Sequence, residues 1–266
     1  MGDGVYTSDL DGNGFQDLLF IQPLKSTDNQ VTLLLNKGNF NFERLSIPGL
    51  DSYLKRPKSF GVPSFAVLYD HDKDGDIDIF MGFGFGSSRL FDNQLGQDGK
   101  CHFVEKRYAG LKPNSICLSA NAFDYNRDGY LDLFLANTLP PYLQDYEDST
   151  RFNFFDLPDA EYPGDQRMFH FLHASWHNSS NGGHNWLLSY SPETGDLSNA
   201  LKENPLPETR WTLGVGTGDF NNDRWTDLYS ANPILVPMIP IEILKGDSVC
   251  RQGSSSGISD AIPIRE

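Results

Sequence analysis

Residues 70–78 read D-H-D-K-D-G-D-I-D, and this spacing recurs as D-L-D-G-N-G-F-Q-D (9–17), D-Y-N-R-D-G-Y-L-D (124–132) and D-F-N-N-D-R-W-T-D (219–227). Each copy puts an oxygen-bearing side chain at positions 1, 3, 5 and 9. These are Asp9, Asp11, Asn13 and Asp17; Asp70, Asp72, Asp74 and Asp78; Asp124, Asn126, Asp128 and Asp132; Asp219, Asn221, Asp223 and Asp227. Hard oxygen donors at that spacing wrap a short loop around Ca²⁺, whereas Mg²⁺ prefers a smaller octahedral shell with several waters. Position 7 varies freely (Phe15, Asp76, Tyr130, Trp225), as suits a ligand supplied by the backbone carbonyl. The expected cofactor is therefore structural Ca²⁺, up to four ions. Glycine fills the sharp turn at position 6 in three loops (Gly14, Gly75, Gly129), and Arg224 stands there in the fourth. A side chain is disfavoured in that backbone region. Loop 2 ranks as the strongest site and loop 4 as the weakest.

An EF-hand begins the same way but needs an acid at position 12 and helices on both sides. Position 12 holds Phe20, Met81, Leu135 or Ser230. The flanks are short aliphatic and aromatic runs, which read as strands: 17–22, 78–84, 132–137 and 227–232 after the loops, and 65–69, 118–123 and 213–218 before three of them. Further strands are expected at 31–36, 40–45, 88–93 and 102–108. One repeat is thus four strands, with the loop joining the first to the second. Loop starts lie 61, 54 and 95 residues apart. That period marks a repeat architecture, and the long third interval marks an insertion of roughly 35–40 residues. The segment 140–166 supplies much of it. The fold class is all-β: a β-propeller of four-stranded antiparallel blades, four to five in number, or part of a larger ring. Blades occupy 1–245 and a flexible tail 246–266. Gly82, Gly84, Gly86, Gly214, Gly216 and Gly218 suit innermost strands, where backbones crowd.

The 266 residues carry a formal charge of -15, and the four loops hold 14 aspartates. Such a chain repels nucleic acid and anionic bilayers. No apolar run of about 18 residues predicts a membrane span. The first residues carry no signal peptide, and a loop begins within ten residues, as in a fragment of a larger architecture. The three cysteines define neither a disulfide framework nor a zinc site, although Cys101 and Cys117 could pair across neighbouring strands.

The repeats resemble the FG-GAP/VCBS blades of integrin-α-type propellers. The stretches 89–111, 122–137 and 213–232 look like the ASPIC/UnbV, cartilage-acidic-protein branch. The resemblance implies a secreted or surface-exposed protein with structural calcium, acting in adhesion through a protein or glycan partner. Relatives commonly have seven blades, against four loops here, and 246–266 does not resemble that branch's C-terminal module.

Other motifs weigh less. His170, His173, His177 and His184 cluster, but on a strand His170 and His173 point to opposite faces, which disfavours chelation. Asn178-Ser179-Ser180 is an N-glycosylation sequon. Gly253-Ser254-Ser255-Ser256-Gly257 fits a nucleophile-elbow pattern without its strand and helix. The aspartate pairs could suggest a glycosidase, yet a shared cation explains their spacing better. The expected function is a non-catalytic calcium-binding module. The alternatives are a polysaccharide-active enzyme on the same scaffold, using residues such as Tyr142, Arg167 and His173, or a truncated piece without independent function.

Overall fold

The computed structural model describes residues 4–25, 29–55, 61–84, 87–96, 100–106, 116–139, 160, 162–167, 169–170, 173, 183–200, 211–231, 241–245 and 248–252. Strands β1 (Gly4–Ser8), β2 (Asp17–Ile21), β3 (Val31–Asn36) and β4 (Phe42–Leu45) form the first antiparallel sheet, in chain order. After helix α1 (Pro48–Leu54), the strands β5 (Val62–Tyr69), β6 (Asp78–Gly84), β7 (Arg89–Asn93) and β8 (Phe103–Lys106) repeat the arrangement. So do β9 (Ile116–Phe123), β10 (Asp132–Leu139), β11 (Trp186–Ser191) and β12 (Asp196–Asn199). A fourth unit opens with the hairpin of β13 (Gly214–Gly218) and β14 (Asp227–Ala231). A second hairpin follows, β15 (Ile241–Lys245) with β16 (Ser248–Gln252), and β15 runs beside β14. Residues 248–252, assigned to a tail from sequence, are thus strand, while 253–266 lie outside the described residues.

The first strands stand in a row: β1 lies against β5, β5 against β9 and β9 against β13. The sheets therefore stack face to face as propeller blades do. Sequence periodicity reports each blade's place in the stack. In the first blade β2 alternates, with Leu19 and Ile21 buried and Leu18 and Phe20 half-buried. In β6 and β10 the described side chains are buried on both faces, because each of these strands has a blade on either side. Continuous apolar runs such as D-I-F-M-G-F-G follow from that sandwiching.

Three apolar layers join the blades. Leu19, Ile21, Leu33 and Leu35 meet Ile79, Met81, Phe83 and Phe91 between the first and second. Phe65, Phe80 and Leu90 meet Leu133, Leu135 and Leu188 between the second and third. Phe123, Phe134 and Leu187 meet Leu228 between the third and fourth. Each such side chain contributes about 1.5–3 kcal/mol when fully buried.

Two local features depart from the sequence reading. Helix α1, with Pro48 in its first turn where the missing N–H costs nothing, inserts Leu50, Tyr53 and Leu54 into the first layer. Gly82 lies on the second strand of its blade, not the innermost, and a Cβ there would sit 2.0 Å from the Phe65 ring. It is a close-approach glycine, made necessary by an aromatic neighbour.

The third blade carries the insertion, between β10 and β11. Its ends are clamped: Asn137 N donates to Asn185 Oδ1 (2.9 Å), and Thr138 Oγ1 donates to Thr212 O (2.9 Å). Within it His170 N donates to Gln166 O (2.9 Å), an i to i−4 helical bond. His170 and His173 are thus three apart on a helical turn, exposed, with Phe169 6.0 Å from each ring. This corrects the strand placement. Tyr142, His177, the sequon at Asn178 and most of 140–166 lie outside the described residues.

Cys101 and Cys117 are free thiols. They do not pair across strands, as their spacing would have allowed: Cys101 turns to the Leu10 carbonyl (3.2 Å) while Cys117 is sealed in the second layer. Burial pushes both thiols up to about 12. Among the described residues no helix is long and apolar enough to cross a membrane.

Candidate metal centres

Each acidic loop links the first two strands of a blade, as the sequence predicts. A common hydrogen-bond frame builds all four. The N–H of position 6 donates to the position 1 carboxylate: Gly14 to Asp9 (2.8 Å), Gly75 to Asp70 (3.0 Å), Gly129 to Asp124 (3.0 Å) and Arg224 to Asp219 (2.8 Å). The N–H of position 2 donates to the position 9 carboxylate: Leu10 to Asp17 (2.7 Å), and His71 to Asp78, Tyr125 to Asp132 and Phe220 to Asp227 (each 2.9 Å). The N–H of position 7 donates to the side chain at position 5, in Asn13, Asp74, Asp128 and Asp223.

This path requires left-handed backbone at positions 4 and 6. The φ values are 67° and 86° at Gly12 and Gly14, 64° and 99° at Lys73 and Gly75, 61° and 86° at Arg127 and Gly129, and 59° and 71° at Asn222 and Arg224. Loop 4 thus keeps the shared geometry and forces Arg224 into a conformation that costs a non-glycine residue roughly 1–2 kcal/mol.

The frame leaves the carboxylates facing inward. Asp9, Asp11 and Asp17 bring oxygens within 4.8 Å of one another, as do Asp70, Asp72 and Asp78. Asp74 at position 5 stands outside the second trio. Burial, with neighbouring negative charge, raises Asp17, Asp72 and Asp76 above the usual carboxylate range. Burial pushes Asp132 up to about 6, with Asp128 and Asp124 adding to the shift against hydrogen bonds from Ser189 and Tyr125. Asp72 Oδ1 and Asp124 Oδ1 are shielded from solvent and accept no hydrogen bond. A buried carboxylate oxygen with no donor has a lone pair to give, and clustered anions gain from a cation between them. The residues fit a hard divalent ion on these grounds.

Sequence reasoning missed several partners. Asn36 and Asn93, each ending the third strand of a blade, donate their N–H to Asp17 Oδ1 (2.7 Å) and Asp78 Oδ1 (2.8 Å). Asn93 Nδ2 also donates to Leu10 O (2.9 Å) and Ile77 O (3.2 Å), tying the second blade to the first loop. The recurring Asn at the end of V-T-L-L-L-N and S-R-L-F-D-N was the available signal. His71, fully buried, sits with Nδ1 2.6 Å from Asp78 Oδ2 and 3.9 Å from Asp72 Oδ1. Burial works to lower its pKa, and the bond to Asp78 with the charges of Asp78, Asp72 and Asp92 outweighs burial and raises it. Lys37 places Nζ 2.6 Å from Asp11 Oδ2.

The loops also touch one another. From position 4, Lys73 Nζ lies 5.3 Å from the Tyr130 ring centroid, and Arg127 Cζ lies 3.6 Å from that of Trp225. Arg127 also donates to the Arg224 carbonyl. Loops 2, 3 and 4 thus form a continuous rim joined by cation–π contacts. Phe15, at position 7 of loop 1, packs on Gly38 instead.

Residues 70–135 match the family model of the FG-GAP-like repeat. The match runs from loop 2 through the second blade and loop 3 into β10. It supports the FG-GAP relationship and does not reach the ASPIC/UnbV branch. No curated protein matches the chain. Among solved structures the chain is similar to one described as the structural basis of specific recognition of non-reducing terminal N-acetylglucosamine by an Agrocybe aegerita lectin. The identity is 14% and the TM-score 0.39, over 94% of this chain. The chain spans 65% of the length of that one.

Proposed function

We propose that this chain is a non-catalytic, calcium-stabilised β-propeller module of the ASPIC/UnbV type, acting outside the cell or at its surface through a protein or glycan partner. One observation carries the calcium reading. Four blade hairpins share one hydrogen-bond frame that turns carboxylates inward, and in loop 2 three aspartates converge within 4.8 Å, with Asp72 Oδ1 shielded and accepting no hydrogen bond. Side chains at positions 1, 3, 5 and 9 and the position 7 carbonyl are the ligands available to the ion. When bound, Ca²⁺ supplies positive charge that relieves repulsion inside each cluster. The extracellular role rests on the FG-GAP relationship and on the charge of -15, which disfavours nucleic acid.

A ligand that binds only the folded chain stabilises it by about 2.7 kcal/mol at a hundredfold excess over Kd. EGTA should therefore lower the melting temperature, and calorimetry should record calcium binding that Asp78→Ala diminishes. An unchanged melt in EGTA together with no binding heat overturns the proposal.

A further inference from the structure

Loops 1 and 2 share their backbone path and their trio of aspartates, yet their third positions are completed differently. Asp72 Oδ1, in loop 2, is shielded and accepts no hydrogen bond. Asp11, at the same position of loop 1, has only 2% of its side chain exposed and holds the Lys37 ammonium at 2.6 Å. The lysine, whose side chain is 36% exposed, starts from a hydrogen-bonded turn. Lys37 N donates to Asn41 O (2.8 Å), Asn41 N donates to Gly38 O (2.9 Å), and Gly38 N donates to Asn36 Oδ1 (3.0 Å). Asn36 is itself bonded to Asp17, so the turn and the loop are one unit. In the second blade the residue after the corresponding Asn93 is Gln94, whose amide turns to Asp92 (3.3 Å), so no ammonium takes this place at Asp72; the basic group beside it is the His71 ring, 3.9 Å away and bonded to Asp78 (2.6 Å) instead.

We infer that Lys37 is the cation of loop 1: its ammonium takes the place of a divalent ion there, so that loop 1 is closed by the chain itself and loop 2 is left for calcium. The electrostatic logic is direct. A carboxylate trio needs positive charge nearby, and a tethered ammonium supplies it without the translational freedom that a free ion gives up on binding, so calcium at loop 1 has first to displace it. A lysine held by a turn also loses less freedom than one recruited from solvent. Lys37 would then set which loop binds metal, a distinction that the loop sequences alone conceal, since loop 1 keeps every expected ligand.

The inference rests on the proposal that the other loops bind calcium, and the test separates the two. Native mass spectrometry in saturating calcium counts the ions bound to the chain. Lys37→Met should bind one more ion than the wild type, and Lys37→Arg, which keeps the charge, should not. In the wild type, the NMR signal of the Lys37 ammonium should stay hydrogen-bonded and unshifted as calcium is added. An unchanged ion count in Lys37→Met, or a wild-type Lys37 signal released by calcium, overturns the inference while leaving calcium binding intact. A wild type that binds no calcium at all overturns the functional proposal instead. If Lys37→Met fails to fold, the wild-type NMR titration still decides.

Discussion

Replacing Asn93 with alanine should loosen the joint between the first two blades even with no metal present. The side chain is fully buried, and its Nδ2 holds two carbonyls from different blades, Leu10 O at 2.9 Å and Ile77 O at 3.2 Å. Each hydrogen bond contributes roughly 1 kcal/mol net, and buried carbonyls deprived of a donor cost more. Truncation adds a small cavity term, so the total loss should be about 2–4 kcal/mol. The backbone N–H to Asp78 survives, and the loop itself should persist. For a chain of this size the loss corresponds to a fall of roughly 5–12 °C in Tm. Urea denaturation in EGTA measures it free of any contribution from bound ions, and an unchanged m-value confirms that the native state stays compact. Asn36→Ala is the internal control. Its Nδ2 bond to Gln16 O (3.1 Å) is exposed and its Oδ1 accepts one part-buried bond from Gly38 N (3.0 Å), so the expected loss is smaller, roughly 1–1.5 kcal/mol. A loss below about 0.5 kcal/mol for Asn93→Ala, or equal losses at both positions, refutes the idea that burial of this bridge matters.

Two further outcomes follow from the loops. Arg224→Gly should raise stability by about 1 kcal/mol, because φ at 71° suits glycine; a neutral or destabilising result in a urea titration contradicts the strain argument. The metal-free protein should weaken as pH rises. Asp132 is held at about 6, above its ordinary value near 3.8, so its contribution is fully present below that lower value and is lost as pH climbs through 6. In EGTA, melting temperature should fall between about pH 4 and pH 6.5, and Asp132→Asn should flatten the slope; an unchanged slope excludes Asp132 as a source.

The sequence alone set the loops, the hairpins and the four-stranded repeat. The reason is locality: ligand spacing, turn glycines and strand runs act within about ten residues, where side-chain pattern and backbone geometry are directly coupled. The first two blades follow the expected strands closely, β3 at Val31–Asn36 matching residue for residue. Tertiary structure decided what the loops do with their charge. Lys37 lies 26 positions from Asp11, and Asn93 lies 83 from Leu10; no local pattern predicts either meeting, because both depend on how blades stack and how turns fold back. The sequence identified Arg224 as the exception in loop 4, and the fold shows that the frame absorbs it. The less apparent exception is loop 1, complete in its ligands yet already holding an ammonium, since charge balance in a buried cluster is settled by every group the fold brings near it.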